Sequence, residues 1–286
     1  MRMNKIGVDL GGTNIRAGII HGKSVVKINS TPLTEKENFE STIQQLKSII
    51  HSVFGVSVKG IGVGVPSIVD LEKGIVYDVV NIPSWKEVHL REILEEEFGV
   101  PVFINNDSNC FTLGEKYFGH GQQHKNFVGI TLGTGIGSGI IINDKLYSGH
   151  NCGAGEIGYL PYLEHDFEYY CGANFFKAIH KTTGYEVALA AQKNDSKALA
   201  IWNEFGTHIG IALRSVVYAY DPEAIVLGGA ISKSFHLFKE AMYKAMRNIH
   251  FPKSIERLKI YLSELEQVAM LGAAAQVDHY LENRSK

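Results

Sequence analysis

Two stretches of this chain, residues 9–20 and 131–142, share one grammar: the end of an apolar run, a turn of Gly and Thr, then a second apolar run. Literal identity between them is slight, so the repeat is one of pattern. Short apolar runs bounded by turn residues read as buried strands. Two such strand–turn–strand units so far apart imply two halves. Around them, residues 5–10, 15–20 and 24–28 read as strands. Phe39, Ile43, Leu46, Ile49, Ile50 and Val53 fall on one face of a helix, and 60–65 is an apolar strand stopped by Pro66-Ser67. Leu90, Ile93, Leu94 and Phe98 mark a further helix, followed by a strand at 101–104 and a helix at 108–118. In the second half, 127–132 and 137–142 read as strands, and Ile201, Trp202, Phe205, Ile209, Leu213, Val216 and Val217 form the apolar face of a long helix. A strand at 224–227, a helix, a strand near Ile260 and a last helix from Gln267 complete the pattern.

Alternating strands and helices predict an α/β chain with mainly central strands. A length of 286 residues suits two domains. No low-complexity linker divides them, and the cut is placed at Gly119-His120-Gly121. Two halves imply a cleft, a frequent home for small-molecule sites. The formal net charge is -2 with Lys and Arg dispersed, which offers no basic stripe for nucleic acid and no polybasic membrane anchor. No apolar run approaches the roughly 18 residues of a spanning helix, and no signal-peptide apolar region is expected at the start. Cys110, Cys152 and Cys171 cannot form a paired framework and read as reduced thiols of a cytoplasmic protein.

Gly11-Gly12-Thr13 and Gly133-Thr134-Gly135 are turns whose amides can approach an anion without a Cβ in the way. Gly228-Gly229 follows an apolar strand and can let an adenine or ribose pass the backbone. Any one of these is an ordinary tight turn. Three, each after a buried-looking strand, indicate a nucleotide cleft. No Gly-x4-Gly-Lys-Ser/Thr occurs, which excludes a P-loop. Gly153, Gly155 and Gly158 have dinucleotide-fingerprint spacing, but no strand precedes them and Tyr159-Leu160-Pro161 opens no helix, so that motif fails its context.

Two sets of carboxylates stand out. Asp9 ends the first strand beside the first glycine turn, where it can hold Mg2+ through water. Asp107 lies at a strand exit in the run 104–109, where a helix-cap role competes with a chemical one. Asn106-Asp107 pairs an amide with a carboxylate, and Gly155-Glu156-Ile157-Gly158 offers a carboxylate flanked by glycines. Both suit neutral polyols, because each carboxylate accepts hydroxyl hydrogen bonds.

These residues together resemble the ROK family of sugar kinases and related repressors. Asp9-Leu10-Gly11-Gly12-Thr13-Asn14 looks like its first phosphate motif, and Gly62-Val63-Gly64-Val65-Pro66-Ser67-Ile68-Val69-Asp70 like its Gly-x-Gly-x-Pro-Gly-x-Val-Asp segment, with Ser67 for the usual Gly. Asn106-Asp107-Ser108-Asn109 through Gly114-Glu115 resembles the stretch with the catalytic Asp, Leu132-Gly133-Thr134-Gly135-Ile136-Gly137 the second phosphate motif, and Gly228-Gly229 the adenosine loop.

The resemblance implies a two-domain actin-like (ribonuclease H-like) fold with the active site in the interdomain cleft. Residues 1–118 would form the smaller domain, joined by a last helix at 267–286, and residues 119–266 the larger. It implies an ATP- and Mg2+-dependent kinase acting on the hydroxyl, expected to be the 6-OH, of a hexose or N-acetylhexosamine. Asp107 would be the base, with Pro66, Ser67, Asn81, Asn106 and Glu156 at the sugar. Gly11, Gly12, Thr13, Asn14, Gly133, Thr134, Gly135, Gly228 and Gly229 would hold the nucleotide, and a homodimer is left open. The chain departs from the family in three ways. Tyr159 replaces the usual His, the zinc segment is missing with Cys171 as its one cysteine, and Ala178 stands where that segment's Glu would be. No structural zinc is therefore expected, and Glu168 is the candidate second sugar carboxylate. The rival readings are a non-catalytic sugar sensor and an actin-like ATPase.

Overall fold

The computed structural model describes residues 4–284. It divides into two compact units, one formed by the chain up to Gln123, Lys145–Ala154 and the chain from Glu264, the other by His124–Asp144 and Gly155–Ser263. The first unit is built on β1 (Asn4–Leu10), β2 (Asn14–His21), β3 (Ser24–Pro32) and β4 (Val58–Val65), with α1 (Phe39–His51) between β3 and β4. Asn38 caps α1 by accepting from Ser41 N–H at 3.0 Å, and Thr42, Ile43, Leu46, Ile49 and Ile50 form its buried stripe. Three short strands follow, β5 (Ile68–Asp70), β6 (Ile75–Tyr77) and β7 (Glu87–Val88), then α2 (Leu90–Phe98), β8 (Val102–Asn106) and α3 (Asp107–Phe118). The main sheet runs β3-β2-β1-β4-β8, while β5, β6 and β7 make a separate small sheet. β1 pairs antiparallel with β2 and parallel with β4, and β4 pairs parallel with β8.

The second unit repeats the plan. Its main sheet contains β9 (Phe127–Leu132), β10 (Ile136–Ile142) and, at the edge, the two-residue β11 (Lys145–Leu146), whose residues already count with the first unit. The β12 (Pro161–Tyr162) and β13 (His165–Asp166) hairpin leads to α4 (Phe167–Cys171), α5 (Gly184–Gln192) and α6 (Ser196–Tyr220). β14 (Ala224–Gly228), α7 (Phe235–Met246), α8 (Pro252–Arg257) and β15 (Lys259–Leu262) complete the unit, with sheet order β11-β10-β9-β14-β15. The long α6 is capped by Asp195, which accepts from Ala198 N–H at 2.8 Å. Its apolar face meets α7 through the rings of Trp202, Phe205 and Phe238.

The chain then returns to the first unit as α9 (Val268–Arg284), which lies on β1, β4 and α3. Backbone almost touches backbone there. A Cβ added to Gly272 would sit 1.8 Å from the Cys110 carbonyl, and one added to Gly114 would sit 2.2 Å from that of Val268. Only glycine fits at either point.

The sequence reading placed 119–266 in one domain, and the structure differs at both ends and in the middle. The first unit extends to Gln123, through a 3-10 turn at His120–Gln123 tied to α3 by His120 N–H donating to Glu115 Oε2 at 3.0 Å. Residues 145–154 also belong to the first unit, because Cys152 is buried against Asn105 and Asn109. The third strand continues past residue 28 to Pro32, which pairs with Asn14.

Candidate functional site

In the first unit the parallel strands bring their C-terminal ends level. Asp9 on β1 stands opposite Gly64 on β4, and Gly64 and Val65 stand opposite Asn105 and Asn106 on β8. Outside the carboxyl ends of the strands is where open α/β sheets bind ligands. Asn106 caps α3: its Oδ1 accepts from Ser108 N–H at 2.8 Å and Asn109 N–H at 3.3 Å. Asp107 is thus not the cap but the first helical residue, with Oδ1 2.8 Å from Ser108 N. One Asn106 amide hydrogen goes to the Ser67 carbonyl at 3.3 Å. Ser67, directly after Pro66 at the end of β4, gives its hydroxyl to the Tyr77 carbonyl. In this geometry Ser67 positions Asn106 rather than presenting a free hydroxyl.

The turn rests on a polar network that the sequence did not announce. Asn105 Oδ1 accepts from Asn106 N–H at 2.9 Å and Asn109 Nδ2 at 3.0 Å, and Asn105 Nδ2 donates to Gln276 Oε1 of α9 at 3.1 Å. The doublet Asn105-Asn106 was the available signal, and only its second member was read as functional. Burial holds the nearby Cys110 thiol well above its usual range, reinforced by Asp107, Asp9 and Cys152. Cys110 is therefore a neutral thiol packed behind the carboxylates.

Asp9 is 24% exposed, and Arg16 Nη1 lies 3.5 Å from its Oδ2. Burial raises the Asp9 carboxyl above its ordinary value, and Arg16 opposes the shift. A carboxylate in that state gains from a cation placed against it. One carboxylate beside a glycine turn suits Mg2+, which keeps several waters. Among the described residues no group of three or more His, Cys, Asp or Glu is arranged to hold a metal ion. In the first turn, Gly11 N–H donates to Asn14 O at 2.9 Å, and Asn14 Nδ2 lies 3.2 Å from Thr13 Oγ1. The Asn81 side chain covers Gly12, where an added Cβ would fall 2.7 Å from Asn81 Cβ.

In the second unit, Gly133 N–H donates to Gly135 O at 2.9 Å, and Ala173 N–H reaches the carbonyls of Gly133 and Thr134 at 3.0 and 2.9 Å. Glu168 lies on this turn: its Oε2 accepts from Ile136 N–H at 2.9 Å, and a Cβ on Gly135 would overlap the carboxylate at 1.8 Å. The candidate sugar carboxylate thus also fastens the second glycine turn. Glu156 precedes a 3-10 turn at Ile157–Tyr159. Burial raises its carboxyl, and the Glu168 charge adds to the shift. Burial likewise raises Glu168, against the pull of the Ile136 N–H. Tyr159 is 61% exposed, and its phenol is held up by partial desolvation, then by Glu168 and Glu156. That exposure argues against a packing role. Gly228 pairs with Thr131, and Gly229, at φ +87, lies against the Leu132 backbone, so the third glycine turn adjoins the second.

Sequence comparison places this arrangement among known proteins. The ROK family pattern matches residues 5–175 and 174–279. A glucokinase from Thermotoga maritima is 28% identical over 96% of this chain and 97% of its own length. A ROK family glucokinase from Streptomyces griseus, solved with glucose and AMPPNP, superposes with a TM-score of 0.84 at 25% identity, covering 96% of this chain and 99% of that one. The xylose repressor of Bacillus subtilis is 26% identical over 97% of this chain and 78% of its own.

Proposed function

The chain belongs to the ROK family and has its two-domain actin-like fold, and from that premise we propose that it is an ATP-dependent sugar kinase with Asp107 as the base. Its acceptor on this reading is the 6-OH of a hexose or N-acetylhexosamine. The sugar-kinase class is supported by the glucokinase relatives. The observation that carries the role of Asp107 is its placement as the first residue of a helix that Asn106 has already capped. Asn106 closes the helix, and Asp107 Oδ1 also accepts from Ser108 N–H at 2.8 Å.

Asp107 takes the proton of the attacking hydroxyl as the oxygen bonds to the γ-phosphorus and the bond to the leaving ADP oxygen breaks. Asn106, Glu156, Tyr159 and Glu168 orient the sugar, with Pro66, Ser67 and Asn81 shaping its surroundings. The amides and threonine hydroxyls of the Gly11–Asn14 and Gly133–Gly135 turns hold the phosphates, and Gly228-Gly229 receives the adenosine. Asp9 would hold Mg2+, which would supply neutralisation of the charge on the transferring group. Phosphoryl transfer has a loose transition state, so positioning and electrostatics outweigh base strength. No zinc takes part in this reading. Cys171, the last residue of α4, is fully buried, and no other cysteine lies near it in sequence at zinc-ligand spacing.

A coupled ADP-release screen over hexoses and N-acetylhexosamines with several nucleotide donors tests the proposal. Sugar-stimulated ADP release is the expected result. Tight sugar binding without turnover would favour a sugar-sensing regulator, the reading to which the xylose repressor similarity points. Basal ATP consumption indifferent to sugar would favour an actin-like ATPase.

A further inference from the structure

Lys36 belongs to none of the motifs above, yet its Nζ donates to the carbonyl oxygen of Gly12 in the first glycine turn. Its own backbone is anchored independently: the Ser84 hydroxyl and N–H donate to the Lys36 carbonyl at 2.7 and 3.3 Å. Three residues before Ser84, the Asn81 side chain covers Gly12 from another side. Leu33 N–H donates to Thr13 O at 2.9 Å, so the segment carrying Lys36 grips the turn at two successive carbonyls. Arg16, the other nearby cation, is turned to Asp9.

A peptide group is planar and trans, so its C=O and N–H point in opposite directions. With the Gly12 carbonyl drawn toward Lys36, the Thr13 N–H of the same peptide is aimed away. Among the described residues no group accepts from that N–H. The ammonium therefore fixes the direction of a donor that the turn leaves open toward the anion site. It also polarises that donor, because hydrogen bonds through one amide strengthen each other, and it adds a full positive charge within a few bonds of the anion site.

We propose that Lys36 is a positioning residue for the phosphate chain of the nucleotide, acting through the Gly12–Thr13 peptide. The inference rests on the reading of Gly11–Asn14 as a phosphate turn, but its test does not require turnover. Calorimetric titration of the full chain with adenosine, ADP, ATP and tripolyphosphate, for wild type and Lys36→Met, Lys36→Gln and Lys36→Arg, separates charge from packing. Removing the charge in the Met and Gln variants is expected to weaken ADP, ATP and tripolyphosphate binding by about 10- to 100-fold, the range of a hydrogen bond to a charged group. Adenosine binding stays within about twofold of wild type, and Lys36→Arg restores most of the phosphate affinity.

Equal weakening of adenosine and ADP, or a fall in Tm with unchanged ADP affinity, would reduce Lys36 to a structural tie and overturn the proposal. So would a wild-type protein that binds none of the phosphate-bearing probes. A wild type that binds ADP in a Lys36-dependent way but phosphorylates no sugar would leave this inference standing and sink the kinase reading instead.

Discussion

Asp9 and Asp107 sit at the ends of β1 and β8, on either side of β4, but face opposite demands. Asp107 opens α3 with Ser108 N–H on its Oδ1, a bond that an asparagine oxygen can also accept. Asp107→Asn is therefore expected to fold like wild type and still bind sugar, while kcat falls by about 10²- to 10⁴-fold, the usual weight of a general base. A near-normal kcat in that variant would remove Asp107 from the mechanism. Asp9 is charged at a cost. Its carboxyl is raised above 3.8 by burial, so it binds its proton more tightly folded than unfolded. Such a group opposes folding once the pH exceeds its folded pKa, and the penalty fades as pH falls through that value toward 3.8. Asp9→Asn should accordingly be more stable than wild type to denaturant at pH 7, with the gain shrinking toward pH 4. Its Mg2+-dependent turnover should fall by about 10²-fold, since a metal's charge stabilisation is worth several kcal/mol. Lower stability of Asp9→Asn at pH 7 would show that the Arg16 pair outweighs burial.

At the scale of elements, the junction of α3 with α9 controls how firmly the Asn106–Asp107 turn is held. The helices meet backbone to backbone at Gly114 and Gly272, and Gln276 of α9 bonds Asn105 at the foot of the turn. Gly272→Ala places a methyl carbon 1.8 Å from the Cys110 carbonyl, so the helices must separate. Overpacking of this kind costs about 3 kcal/mol. Denaturant titration should register that loss, and kcat should fall with it because α3 begins at Asp107. Wild-type stability in Gly272→Ala would mean the crossing is looser than it looks. The apolar faces of α1 and α6 were legible in the sequence, whereas the cap of α3, considered at Asp107, falls at Asn106. The small sheet of β5, β6 and β7 was not legible, since strands of two or three residues carry no period to read.

For the whole molecule, the first unit is completed only by the last part of the chain. Met270, Leu271, Ala273, Ala274, Ala275 and Val277 of α9 are buried, and together they cover the face of β1 and β4. A chain ending at Ser263 keeps all of the second unit but leaves that face open. Such a truncation should yield little soluble protein and lose hydrogen-exchange protection in β1, β4 and β8. Soluble material with wild-type protection in those strands would show α9 to be dispensable. No helix among the described residues is long and apolar enough to cross a membrane. What the sequence determined by itself was everything set by neighbours in the chain: strands from apolar runs, helices from their apolar faces, and the three glycine turns from residues without Cβ. Tertiary structure alone decided which distant groups meet. It returned residues 145–154 to the first unit, laid Glu168 across the Gly133–Gly135 turn, joined Asn105 to Gln276 and brought Lys36 to Gly12. A single polar side chain has no period and no spacing rule, so its partner exists only once the backbone has carried the two together.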